Sequence, residues 1–175
     1  MSEISPVIPD WSREHKRHFA WQPSKSLLAA IRDYQCHAAS RNPLRVLLKK
    51  WAVLRHRFWS ILTGADIPIN SLIGGGLLLP HPNGVVIHPD VQIGPNCLIF
   101  QQVTIGTRGR PGAPRIGGHV DIGAGAKILG DVTIGDHALI GANAVVLTDV
   151  PANCMAVGVP ATIRAKATNS SVNKF

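Results

Sequence analysis

The chain has 175 residues, enough for one domain plus an appended element, and 45% of them are hydrophobic, which supports a real core. Its formal charge of +8 is uneven: residues 1–66 carry eleven Lys and Arg against five Asp and Glu, the remainder seven against five. No stretch approaches the ~20 apolar residues of a membrane span, no apolar run near Pro6 and Pro9 marks a secretory signal, and Cys36, Cys97 and Cys154 lie too far apart for a disulfide framework or a zinc knuckle, so a cytoplasmic protein is the expectation.

Residues 1–23 read as irregular. Ser24 is an N-cap candidate for a helix to about Ala39, with Leu27, Leu28, Ile31 and Tyr34 on one face. Asn42-Pro43 opens a second helix that Gly64 ends near Thr63. Its residues Leu44, Leu47, Leu48, Trp51, Leu54, Phe58, Trp59 and Leu62 follow the spacing of an apolar stripe, with Arg45, Lys49, Arg55 and Arg57 interleaved. The preferred reading is a helical hairpin packed on the end of the following domain. Tryptophan beside basic residues also suits a membrane-surface helix, a second reading not favoured over the first. Nucleic-acid binding ranks lower still, because no recognition motif accompanies the charge.

From Ile87 to Pro151 the chain keeps a six-residue rhythm. Ile87, Ile93, Ile99 and Ile105 recur at that spacing, and Ile116, Ile122, Ile128, Ile134, Ile140 and Val146 resume it after a break. A smaller inward candidate stands four positions after each, as in Val91, Cys97, Ala126 and Ala144. This is the hexapeptide repeat of a parallel β-helix, one short strand and one turn per hexad. Glycine after the aliphatic residue, as in Ile122-Gly123, is read as backbone freedom beside a corner. The expected organisation is therefore a helical region over 1–65, a β-helix over 66–166 and a flexible tail over 167–175.

The count of six fails twice. Leu79 to Ile87 spans eight residues and contains His81; Ile105 to Ile116 spans eleven and contains a Gly/Pro-rich loop. His119 and His137 lie three hexads apart and should stack, but two histidines fall short of the three or four ligands of a metal site, so none is expected.

Asp66-Ile67, His81, Gln101, Val103-Thr104-Ile105-Gly106, the block Ile122 to Gly130 and Gly158-Val159-Pro160-Ala161 together resemble the serine acetyltransferases, over roughly residues 64–166. The resemblance implies a mainly β, left-handed parallel β-helix fold with a short N-terminal α-helical region. It also implies an acetyl-CoA-dependent O-acetyltransferase that needs no metal and forms a homotrimer with active sites between subunits. By the same resemblance His81 is the general base, as an imidazole titrating near neutrality suits, and Asp66 orients it. Gly106 and Thr107 take the oxyanion and cofactor positions. Thr107, Ala124 and Ala142 border the pantetheine arm of acetyl-CoA, and Arg164 and Lys166 face its phosphates.

The sequence departs from that family where the acceptor binds. Pro80 stands in place of an Asp, and Gly112 and Ala113 replace an Arg-His pair suited to an amino-acid carboxylate. The acceptor is therefore read two ways: L-serine, giving O-acetylserine, or a sugar hydroxyl in exopolysaccharide or capsule synthesis, as in the short polysaccharide-cluster relatives. A purely structural β-helix would need neither Asp66 nor His81.

Overall fold

A computed structural model describes residues 4–17, 20–109 and 111–166. The tail expected from 167 onward lies outside the described residues. The chain forms a left-handed parallel β-helix preceded by a helical region.

Among the described residues thirteen short strands stack into three faces. Face I holds β1 (Leu72–Ile73), β3 (Gln92–Ile93), β6 (Arg115–Ile116) and β9 (Thr133–Ile134). Face II holds β4 (Leu98–Ile99), β7 (Asp121–Ile122), β10 (Leu139–Ile140), β12 (Cys154–Val157) and β13 (Thr162–Ala165). Face III holds β2 (Val86–Ile87), β5 (Thr104–Gly106), β8 (Lys127–Leu129) and β11 (Val145–Val146). Pairings are parallel and in step, Ile93 on Ile116 and Ile105 on Ile128, so like residues stack; only β13 runs antiparallel, folding back on β12 as a closing hairpin. Both apolar positions of the hexad point inward: Ile99, Ile105, Ile122 and Ile128 are fully buried, as are Val103, Val120, Ala126 and Ala144. Each large aliphatic residue contributes about 1.5–3 kcal/mol, accumulated coil by coil.

The glycines after the aliphatic residues serve a different end from the one expected. Among those positions Gly123 and Gly135 lack positive φ; a Cβ on Gly123 would lie 2.6 Å from the Ala142 nitrogen, and one on Gly135 2.3 Å from that of Ala152. They are glycine because the next coil passes too close for a side chain. The left-handed turn comes two residues later, at Asn96 (φ 62°), Gln102 (61°), Gly125 (74°), His119 (52°), His137 (59°) and Asn143 (56°). Asn and His are among the residues that tolerate this conformation best.

The helical region departs from expectation too. Helix α1 (Pro23–His37) starts at Pro23 after Gln22, which makes no side-chain cap, rather than from Ser24. Proline at the first turn presets the helical φ without an N–H to satisfy. Leu27, Leu28 and Ile31 join the β-helix core beside Ile67, Ile73 and Leu77, so α1 plugs the open end of the stack. Helix α2 (Pro43–Thr63) has the predicted limits: the Asn42 side chain accepts from the Leu44 N–H at 2.9 Å, and Gly64 ends the helix at φ 64°. It packs mainly on α1, through Ala52 and part of Trp59, and meets the β-helix only at its first coil, where His56 Nε2 lies 2.8 Å from the Ile67 carbonyl. Most of its predicted apolar stripe therefore faces outward, because the turn at 38–42 lays α2 along α1 with its small residue Ala52 turned inward.

Residues 5–14 are tied to the β-helix by a buried Asn96 and a half-buried Glu14. Asn96, fully buried at the corner between faces I and II, accepts from the Asp10 N–H at 2.8 Å and donates to the Ser5 and Ile8 carbonyls at 2.7 and 2.8 Å. Glu14 pairs with Arg32 and accepts from the Leu77 N–H at 2.9 Å, while Arg32 also donates to the Ile73 and Gly74 carbonyls. Deep burial pushes the Cys97 thiol up to about 11, leaving it inert at neutral pH. Replacing Asn96 by Ala should lower stability by about 2–4 kcal/mol, since three part-buried hydrogen bonds are lost. Urea denaturation measures this, and limited proteolysis should find residues 5–10 newly cleavable.

Candidate active site

The two interruptions of the repeat emerge at opposite edges of face III. The first, residues 80–85, forms the corner between faces II and III, just before β2. Here the Gly84 N–H donates to the Gly64 carbonyl, the Asp66 N–H donates to the Val85 carbonyl at 2.8 Å, and the Ile87 N–H returns to the Asp66 carbonyl at 2.9 Å. Asp66 thereby starts face III one coil below β2, and His81 stands on the corner next to it. Both are exposed. Their side chains do not meet: among the described residues no ion pair or hydrogen bond joins Asp66 to His81, and the imidazole has no hydrogen-bond partner.

Directly above His81 the same corner repeats. The Gln102 N–H donates to the Asn83 carbonyl, Gly125 N–H to the Gln101 carbonyl, and Asn143 N–H to the Ala124 carbonyl at 2.8 Å. Ala124 and Ala142 thus stand in one column above the His81 turn. Two supports escaped sequence reasoning. Gln102 donates to the Asn83 side chain at 3.0 Å, and Lys127 donates to the Gln102 carbonyl at 2.6 Å and to Thr104 Oγ1 at 3.1 Å. The only sequence signal was a polar residue at a corner and a lysine one coil on.

Gly106 and Thr107 stand at the other edge, where β5 ends and the eleven-residue step begins. Four residue steps, from Val103 to Thr107, separate this edge from the His81 column, about 13 Å at ~3.3 Å per residue. The loop rises beside the next coils and encloses an open cleft of about 610 Å³, lined by Arg108, Pro111, Leu129, Gly130, Asp131 and Leu147. Gly112 has φ 114°, and a Cβ there would lie 2.5 Å from that of Asp131. The loop's path accommodates no side chain at the position where arginine is missing.

Arg164 is exposed on β13, and Lys166 turns to the far edge of face II, where its ammonium donates to the His137 carbonyl at 3.3 Å. The structure does not bring Lys166 to the Ala124–Ala142 column. His119 and His137 do stack at the corner between faces I and II, Nδ1 to Nδ1 at 2.8 Å with ring centroids 5.0 Å apart. One ring must donate and the other accept. Among the described residues no three His, Cys, Asp or Glu side chains converge on a metal position.

The repeat and its stacked geometry define a hexapeptide-repeat transferase fold, and the family "Bacterial transferase hexapeptide (six repeats)" matches residues 113–148. Within that class the chain is a serine acetyltransferase-like hexapeptide-repeat protein. It is 42% identical over 106 residues to the serine acetyltransferase of Synechococcus elongatus, covering 59% of this chain and 43% of that protein. The chain thus spans about half the length of the curated relatives it matches. Soybean serine acetyltransferase superposes with a TM-score of 0.71 at 33% identity, over 89% of this chain and 66% of the other. The Brucella abortus serine acetyltransferase in complex with coenzyme A gives 0.69 at 30%, over 83% and 57%.

Burial lowers the pKa of His119 from its ordinary 6.5, and His137, Arg13 and Lys166 act in the same direction against Asp121. The unfolded chain then binds that proton more tightly than the folded one. Stability is undiminished above the ordinary value and falls as pH drops through it toward the folded pKa. His119→Asn, which tolerates the left-handed turn, should flatten the fall in urea midpoint from about pH 7 to about pH 5.

Proposed function

We propose that the protein is an acetyl-CoA-dependent O-acetyltransferase, with His81 as general base. The observation that carries this reading is the placement of His81 on an exposed corner in line with the small residues Ala124 and Ala142, in a scaffold similar to a coenzyme A-bound serine acetyltransferase. A hydroxyl is a weak nucleophile until its proton leaves. His81 takes that proton as the acceptor oxygen attacks the thioester carbonyl of acetyl-CoA. The carbonyl oxygen becomes an oxyanion, held by N–H groups at Gly106 and Thr107. Collapse of the tetrahedral intermediate expels the CoA thiolate, which takes the proton back from the imidazolium. Asp66, which does not touch the ring here, orients it and stabilises its cationic form once the His81 side chain turns toward the coil below. The small side chains at Ala124 and Ala142 let the pantetheine arm lie against the coils, and Arg164 neutralises the nucleotide phosphates, a role that Lys166, turned to the His137 carbonyl, does not share.

Supporting a trimer is the distance between the parts. The base and the column above it belong to one edge of face III, the oxyanion position and the open cleft to the other. One chain alone holds half of each site at each edge. Edge-to-edge packing of three copies in a closed ring unites the His81 corner of one copy with the loop of the next.

L-Serine is the acceptor that the relatives' names favour, and they lend no support to a sugar. Pro80, Gly112 and Ala113 nevertheless leave the carboxylate without the family's Arg-His contact. Purified protein should release CoA from acetyl-CoA when given L-serine, tested beside a panel of sugars and nucleotide sugars. His81→Ala should lower kcat/KM by about 10²–10⁴-fold and remove the acid limb of the pH–rate profile. Equal turnover by wild type and variant would show that His81 is not the base.

A further inference from the structure

The outward face of α2 is the largest apolar feature without a covering element among the described residues. Leu44, Leu47, Trp51, Leu54, Phe58 and Ile61 share one side of the helix, and Ile61 is 85% and Phe58 57% exposed. The opposite side, with Ala52, is the one packed on α1. A stripe of this length on a soluble surface is unusual and marks an interaction site.

Charge says what covers it. From Pro43 to Thr63 the helix carries Arg45, Lys49, Lys50, Arg55 and Arg57 and no Asp or Glu. Arg55 is neutralised by Asp33 of α1. Arg45, Lys49, Lys50 and Arg57 have no acidic partner among the described residues, and Lys50 and Arg57 border the apolar stripe on the helix wheel. A second copy laid against this face would bring cations against cations. An anionic surface would pair with them while the apolar side chains enter its hydrocarbon boundary, the arrangement of a helix lying in a membrane interface.

We infer that α2 docks the protein on anionic phospholipid bilayers, with Trp51, Leu54, Phe58 and Ile61 inserted and Lys50 and Arg57 at the headgroups. No helix here is long and apolar enough to cross a membrane, so the contact lies in the plane of the interface. Docking also fixes the orientation of the enzyme. The carbonyl of Gly64, which ends α2, accepts from the Gly84 N–H beside the His81 turn, so that corner stays close to the bilayer.

The test is co-sedimentation of the intact protein with vesicles of phosphatidylcholine alone or mixed with phosphatidylglycerol, with light scattering of the unbound protein. Binding should require phosphatidylglycerol and weaken with added salt. Phe58→Asp with Ile61→Asp should weaken it by roughly tenfold per side chain, and Lys50→Glu with Arg57→Glu by tenfold or more in about the same way, with CoA release in solution unchanged. Because these four residues are exposed, circular dichroism of both variants should match wild type. Two outcomes would overturn the inference: wild type failing to bind phosphatidylglycerol vesicles, or light scattering showing that the Phe58/Ile61 pair holds copies of the chain together and that vesicle binding is indifferent to it.

Discussion

Everything in this molecule depends on how closely one coil can lie on the next. Parallel strands in step place Ile122 on Ile140 and Ile105 on Ile128, and the ladder bonds that hold them leave no room for a side chain between corners. Gly123 and Gly135 are the visible result: a Cβ at either would penetrate the backbone above it. Loss of that contact would open both the hydrogen-bond ladder and the aliphatic column, because each is held at the spacing of the other. This regularity is suspended at the His81 turn and at the loop after Thr107, where the proposed base and the proposed oxyanion position stand.

An open-ended stack has two unprotected ends, and the chain closes them by different means. At the start, α1 inserts Leu27, Leu28 and Ile31 into the core. At the finish, β13 reverses direction and pairs with β12, so the last ladder edge meets an antiparallel strand. The segment 5–14 adds lateral ties through Asn96 and the Glu14–Arg32 pair. These buried and half-buried polar groups have most of their hydrogen-bonding capacity used, which fixes the segment in one place. The caps and ties stabilise the stack and leave face III and both its edges open.

Much of this was legible in the sequence, for a physical reason. A period of six forces identical residues into identical environments, so the buried positions, the two interruptions and the limits of α2 could be read directly. The role of the glycines could not: a close approach and a left-handed turn both select glycine, and only coordinates separate Gly123, which is crowded, from Gly125, which is left-handed. The direction of the α2 stripe was also hidden. Periodicity shows that a helix has an apolar side, but whether that side faces core or solvent depends on the partner, here Ala52 turned toward α1. At the site, the His81 corner and the Ala124–Ala142 column follow from counting coils. The supports from Gln102 and Lys127, the separation of Asp66 from His81, and the turning away of Lys166 do not, because they depend on side-chain reach.

The three-faced coil also limits how such a protein can change in length. Ile122 stacks on Ile140 and Asn143 follows Gly125 at the same corner because one circuit takes eighteen residues. An insertion of one whole circuit would lengthen the prism and leave every face, corner and inward residue in phase. An insertion of any other size must bulge out at a corner, as the loop between Ile105 and Ile116 does, or rotate everything after it onto the wrong face. Variation in this architecture is therefore quantised: it proceeds by whole floors or by balconies.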